Sequence, residues 1–271
     1  MIFATGLLIG LVLGLTGAGG SVIAVPLLMG LLGLSLPVSA GLSLGAVGAA
    51  ALLGVLLRSR SGLIAWSPAL WLSLGGIIMV PPGQWLASRL PEAVLVPAFV
   101  LLVAVVATRL WRQAGRDPDA TREIRASIPE NGPARDVSCS QSPSGRFEWR
   151  WPCVLRMVVA GALTGLLSGL FGVGGGFVVV PALVLLNGLP MAQAVATSLV
   201  IITVVAGSGF ANFLWHAVLP WSLLLALTGG SLAGMLLGTA LGRKVAGPAL
   251  QKGFSILMLA MGASMLLHLF R

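Results

Sequence analysis

Gly14-Leu15-Thr16-Gly17-Ala18-Gly19-Gly20, followed by Pro26, returns as Gly169-Leu170-Phe171-Gly172-Val173-Gly174-Gly175, followed by Pro181. The offset is 155 residues, and it holds further along at Trp66/Trp221, Ser67/Ser222, Gly75/Gly230, Gly83/Gly238 and Leu86/Leu241. Self-similarity at a fixed period marks a duplicated structural unit. In an apolar chain, paired glycine-interrupted hydrophobic segments at corresponding places in two halves point to the binding site of a transporter.

Composition sets the solvent. Of the 271 residues, 57% are hydrophobic and 8% charged, against about 25% charged in an ordinary soluble domain. Residues 1–57 contain no Asp, Glu, Lys or Arg, and neither do residues 157–242. About 20 apolar residues suffice for one spanning helix, so each stretch holds several. The chain reads as an integral membrane protein. Its net charge of +9 is not a nucleic-acid footprint, because nine of the 16 basic residues lie between Arg109 and Arg156, beside membrane segments. That is the pattern of a cytoplasmic loop obeying the positive-inside rule. Residues 1–20 lack a basic leader and match residues 156–175, so they are expected to remain in the mature protein. Cys139 and Cys153 flank no metal-ligand pattern, and Cys139 falls in a loop expected to be cytoplasmic and reducing. No structural disulfide is expected there.

The apolar runs divide the chain into a first membrane repeat at 1–110, a polar linker at 111–152 and a second repeat at 153–271. The first repeat has segments at about 2–16, 22–34, 37–57, 64–87 and 92–110, with a break at Gly17–Ser21. The second has 154–171, 177–189, 191–213, 218–242 and 247–270, with a break at Gly172–Gly176. The linker is rich in Pro, Arg, Asp and Ser and shows no apolar period, so it is expected to be largely disordered. Trp149 and Trp151 read as interfacial anchors at the next membrane entry.

Loop charges relate the halves. Arg58 and Arg60 load one connection, whereas its counterpart around Trp215–Leu219 carries no fixed charge. At the next connection Arg89 and Glu92 cancel, whereas Arg243, Lys244 and Lys252 load the second half. Basic loops lie in the cytoplasm, so equivalent loops face opposite sides and the repeats are expected to be inverted. Each half then crosses an odd number of times, or three times plus a re-entrant hairpin. The fold class is an all-α membrane protein of two inverted repeats, four to five segments each, each opening with a glycine-broken hairpin. The linker is expected inside and both termini outside.

A glycine costs about 1 kcal/mol against alanine in a helix interior, and three or four together favour a turn. Irregular backbone at membrane depth is tolerated where it is buried or lines a watery cavity. A helix that starts after such a turn offers unpaired N–H groups and the positive end of its dipole. Two of these facing each other form a cradle for an anion. The candidate residues are Gly17, Gly19, Gly20 and Ser21 in the first half and Gly172, Gly174, Gly175 and Gly176 in the second. Ser43, Thr197 and Ser198 add hydroxyls on the following segments. Two plainer readings stand beside this one. The glycines could serve close helix packing, and each hydroxyl could bond its own helix carbonyl. Gln84, Gln193 and Asn212 are weaker candidates, since none has an identical residue at the offset position.

No Asp, Glu, Lys or Arg falls inside a span except near the ends, so an intramembrane carboxylate relay is missing. His216 and His268 lie near segment ends. No metal-ligand cluster, nucleotide loop or activated nucleophile stands out, and the Gly-x-Gly-Gly phrase opens no soluble βαβ unit. An enzyme is not expected, nor is a cofactor.

The paired Gly-x-Gly-Gly segments with Pro26 and Pro181, the run Ala196-Thr197-Ser198-Leu199 and the two-half layout around a linker resemble the sulfite exporter TauE/SafE family, also called the TSUP permeases. The resemblance covers nearly the whole chain outside residues 111–152. It implies a multi-pass inner-membrane secondary transporter of small anions, among them sulfite, thiosulfate and organosulfonates. The first half departs from the second, with Ser21 in place of Gly176 and Gly41-Leu42-Ser43 in place of Ala196-Thr197-Ser198, so the site is expected to be asymmetric. The partners implied are a small anion and the lipid bilayer, with H⁺ or Na⁺ coupling left open. Two other classes remain: a non-transporting membrane scaffold or assembly protein, and an exporter of a cation or amino acid. In the inverted arrangement, Ser59→Cys and Arg243→Cys are expected to react with an impermeant thiol reagent from the cytoplasmic side only. Labelling of either from outside would sink the arrangement.

Overall fold

Apolar runs separated by glycine or proline become helices, and the described residues hold nine of them. The computed structural model describes residues 1–17, 20–116, 151–216, 220–245, 256, 259 and 260. In the first half these form α1 (Ile2–Thr16), α2 (Gly20–Leu32), α3 (Leu36–Arg58), α4 (Trp66–Arg89) and α5 (Glu92–Arg116). In the second they form α6 (Trp151–Phe171), α7 (Gly176–Asn187), α8 (Met191–His216) and α9 (Trp221–Val245). The fold is all-α, and the described residues contain no strand. Most of the polar segment at 111–152 and of the segment expected at 247–270 lies outside the described residues.

Five stretches among the described residues are long and apolar enough to cross a membrane: Leu36–Ser61, Trp66–Arg89, Trp151–Phe171, Ala192–Trp215 and Trp221–Leu241. Helices α1 and α2, at 15 and 13 residues, reach only about 20 Å at 1.5 Å per residue, short of the ~30 Å hydrocarbon core. Each half opens on a glycine-broken pair, α1–α2 or α6–α7. The breaks are tighter than the sequence suggested. Helix α2 already starts at Gly20 and α7 at Gly176. Both helices then run on through Pro26 and Pro181, each of which removes one backbone donor.

The two halves interleave. Helix α1 packs along α9, and α4 along α6. Gly6, Gly10 and Gly14 face the backbone of Leu227, Ser231 and Met235, and a side-chain carbon at any of the three would overlap a carbonyl oxygen. Gly161, Gly165 and Gly169 face Leu72, Gly76 and Val80 in the same way. Adding 155 to the second set of partners gives the first. In both pairs residue numbers rise together, so the helices run parallel. Between them α3 crosses α8 with the opposite sense: Gly41 meets Phe213, Gly45 meets Phe210, Gly48 meets Ala206 and Gly54 meets Leu199. Numbers rise on α3 as they fall on α8, so these two helices, related by the offset, run antiparallel.

Helix α5 lies against this assembly through Leu95, Val96, Phe99, Val103 and Ala107, a buried stripe at helical spacing. The ring of Phe99 sits 5.3 Å from that of Phe171, at the tip of the second hairpin.

One expectation is corrected. Cys153, at the start of α6, is disulfide-bonded; the chain's other cysteine, Cys139, lies outside the described residues. The expectation rested on the compartment assigned to the loop, and sequence spacing alone does not show which thiols come within bonding distance.

The glycine seams predict a graded stability series. Gly10→Leu or Gly165→Leu forces side chain into backbone, and overpacking of this kind costs about 1–3 kcal/mol or more. Gly30→Ala, at a position with open space around it, is expected to be neutral or to stabilise by up to ~1 kcal/mol. Thermal unfolding in detergent reads both.

Candidate functional site

The two turns are built alike. Gly17 caps α1 at φ 73°, and its N–H donates to Leu13 O at 2.7 Å. Gly172 has φ 68°, and its N–H donates to Ser168 O at 2.8 Å. A left-handed cap is the conformation that glycine adopts without strain. Each turn also presses on the partner half. Gly17 abuts Val195 of α8, and Gly172 abuts Ala40 of α3, which are again 155 residues apart. Both turns therefore touch the crossing helices of the centre.

The second turn continues through Gly174 and Gly175, both at positive φ, into α7. Val178 and Val179 N–H donate to Gly175 O at 3.1 and 3.3 Å. The amides from Gly174 to Phe177 thus precede the hydrogen-bond ladder of α7, as at any helix start. A carbon placed on Gly174 would lie 3.4 Å from Val47, 3.6 Å from Ile202 and 3.7 Å from Ser21 Cβ. Val47 and Ile202 are offset mates on α3 and α8, so Gly174 lies close to the point where the halves exchange. Ser21 brings the first turn to the same place. Gly17, Gly20, Ser21, Gly172, Gly174, Gly175 and Gly176 are all buried. Gly19 lies outside the described residues.

The hydroxyls divide. Ser198 Oγ donates to Val195 O at 2.9 Å and reaches Gly17 O at 3.4 Å, which ties α8 to the first turn. Ser43, its mate on α3, is fully buried, and its Oγ has no hydrogen-bond partner among the described residues. It follows Ala40, the residue that Gly172 touches, by one helical turn. A buried polar atom without a partner costs about 1–3 kcal/mol. Thr197 Oγ1 accepts from Ala65 N–H at 3.0 Å, so that side chain addresses the start of α4 rather than the turns.

A cavity of about 510 Å³ opens beside this centre. Arg58, Ser61 and Leu63 line it from the end of α3 and the turn after it, Val195 from α8, and Leu236 and Thr239 from α9. Val195, which lines the cavity, is also the residue against Gly17. Arg58 had been read from sequence only as a loop charge. Gln84 and Asn212, two of the weaker site candidates, are each other's partners: the Asn212 amide donates to Gln84 Oε1, and Gln84 Nε2 donates to Gly209 O at 2.8 Å. The two are 128 residues apart, so the 155-residue register carries no signal for this pair.

A family model described as sulfite exporter TauE/SafE matches residues 2–265. The chain belongs to that family. Among its relatives, a protein of Xylella fastidiosa (strain 9a5c) named "Probable membrane transporter protein" is 28% identical over 242 residues, covering 88% of this chain and 82% of that one. A protein of the same name from strain Temecula1 is 27% identical over 263 residues, covering 94% and 90%. "Probable membrane transporter protein YunE" of Bacillus subtilis is 35% identical over 104 residues, 38% of each chain. No solved structure matches. This TauE/SafE-family chain is thus a multi-pass membrane transporter.

The turn geometry separates two glycines by cause. Gly174→Ala meets only ordinary contacts and should lose about 1–2 kcal/mol from its backbone conformation alone. Gly172→Ala adds a collision with the Ala40 backbone and should lose clearly more. Melting temperatures of the two purified variants give the order, and equal losses would contradict it.

Proposed function

We propose that the chain is a secondary transporter of a small sulfur-containing oxyanion, such as sulfite, thiosulfate or an organosulfonate, bound where the two glycine turns meet. The observation that carries the reading is the convergence of Gly174 and Ser21 beside Val47 and Ile202, with the unpartnered hydroxyl of Ser43 buried on an adjoining helix. Amides ahead of the α7 ladder and the start of α2 offer N–H groups and positive dipole ends without a formal charge. Each helix end stabilises an anion by about 0.3–1 kcal/mol when exposed and up to ~2 kcal/mol when partly buried. A hydroxyl adds about 0.5–1.5 kcal/mol net. Binding assembled from such terms is weak and quickly reversed, which suits a carrier.

The same register supports inverted repeats. Helices α3 and α8 are offset mates that run antiparallel, and α1–α9 exchanges with α6–α4 under the offset. Two hairpins entering from opposite faces would then bring their helix starts together near the bilayer midplane, the arrangement in which inverted-repeat transporters bind anions. Exposed Trp66 and Trp221, offset mates at the starts of α4 and α9, suit the interfaces of such a topology.

The test is flux into proteoliposomes with sulfite, thiosulfate, sulfate, an organosulfonate, a carboxylate and an amino acid offered separately. A sulfur oxyanion should move, and Ser43→Ala should weaken its uptake about three- to tenfold, as loss of one hydroxyl bond does. Gly174→Val should abolish uptake while protein still reaches the membrane. Flux of the amino acid alone would favour the exporter alternative, and normal oxyanion flux in both variants would move the site elsewhere.

A further inference from the structure

We propose that Arg58 is the anion-selecting residue of the 510 Å³ vestibule, drawing an oxyanion onto its guanidinium before the glycine turns are reached. What travels beyond the vestibule depends on the transport reading given above; the selection at its mouth does not. Among the described residues, every other one lining the cavity is neutral: Ser61, Leu63, Val195, Leu236 and Thr239 are typical of the wall. The stretches that supply α8 and α9, residues 157–242, contain no carboxylate at all. Arg58 makes no ion pair among the described residues and is half-buried. The helix end it occupies favours a cation, which accounts for the charge being tolerated there. It does not account for the charge lining a cavity that leads to Val195 and Gly17. A planar guanidinium with several N–H groups matches an oxyanion better than any other side chain.

The offset register shows what this end of the path has that the other lacks. Phe213 occupies the position equivalent to Arg58, Asn212 that of Leu57, Gln84 that of Thr239 and Ala40 that of Val195. There the space is filled: Asn212 bonds Gln84, Gln84 bonds Gly209 O, and the Phe213 ring packs on Gly41. One end is an open mouth bearing a cation. The other is sealed by an amide pair and an aromatic ring. Arg58 therefore acts on anions arriving from its own side only.

The experiment places a reporter thiol in the vestibule as Ala192→Cys, a lining position, in the full chain in proteoliposomes. Its reaction rates with anionic sulfonatoethyl and cationic trimethylammonioethyl methanethiosulfonate are compared, with the unsubstituted chain as blank. A fixed cation within a few ångströms in a partly dry cavity changes local ion concentration by about tenfold. Arg58→Gln should therefore lower the anion-to-cation rate ratio about tenfold or more, while Arg60→Gln, exposed to solvent, should leave it near the parent value. In Arg58→His the ratio should be high near pH ~5.5 and low near ~8, following imidazole charge, which keeps the test valid if Arg58→Gln folds poorly. In flux, Arg58→Gln should raise the half-saturating oxyanion concentration about tenfold from the Arg58 side and leave the opposite side unchanged. A rate ratio that ignores both substitutions overturns the proposal. A ratio that follows Arg58 in a chain that moves no oxyanion upholds the vestibule and refutes the transport reading instead.

Discussion

The whole arrangement depends on helices touching backbone to backbone. In lipid there is little hydrophobic gain from burying one apolar helix against another, so association relies on close van der Waals fit between small residues. Gly6, Gly10 and Gly14 give α1 a bare face for α9, and Gly161, Gly165 and Gly169 do the same for α6 on α4. These two seams fix where each short hairpin ends. Their tips then meet the crossing of α3 and α8, and Gly17 and Gly172 lock against Val195 and Ala40. The meeting of the two turns is thus a by-product of how the seams are registered.

The glycines therefore hold two distinct jobs that composition alone would merge. Those on the seams sit in ordinary helix and are needed because nothing larger fits. Those in the turns carry positive φ and reverse the chain. Both plainer readings weighed at the start are part of the answer: close packing explains the seams, and carbonyl bonding explains Ser198. Neither explains the buried, unpartnered Ser43 hydroxyl next to the second turn.

Much of the fold was legible because its signals are local. Charge-free runs gave the helices, and the doubled glycine phrase gave the two hairpins to within a few residues. The pairing of α1 with α9 was not legible, since no local rule says which apolar helix a glycine face will meet. The Gln84–Asn212 pair was not legible either, since the two lie 128 residues apart, outside the 155-residue register, and meet only through the packing of α4 on α8. Sequence marks Arg58 only as a loop charge. A basic residue at a helix end satisfies the positive-inside pattern, and only the surrounding walls reveal that it lines a cavity. The bridge at Cys153 was not legible, since sequence spacing does not show which thiols meet.

Interleaving also has a consequence for how the protein is made. Helix α1 ends at Thr16, and its partner α9 begins at Trp221. At roughly 5–20 residues per second, about 10–40 s of synthesis separates the two. During that time the glycine face of α1 has no mate on the ribosome-bound chain. Helix α6 meets no such delay, because α4 has already emerged. The second hairpin can be seated as it leaves the translocon, while the first waits for α9. Closure of the α1–α9 seam is therefore a late, chain-length-dependent event, and a chain cut short before α9 leaves the glycine face of α1 without its mate.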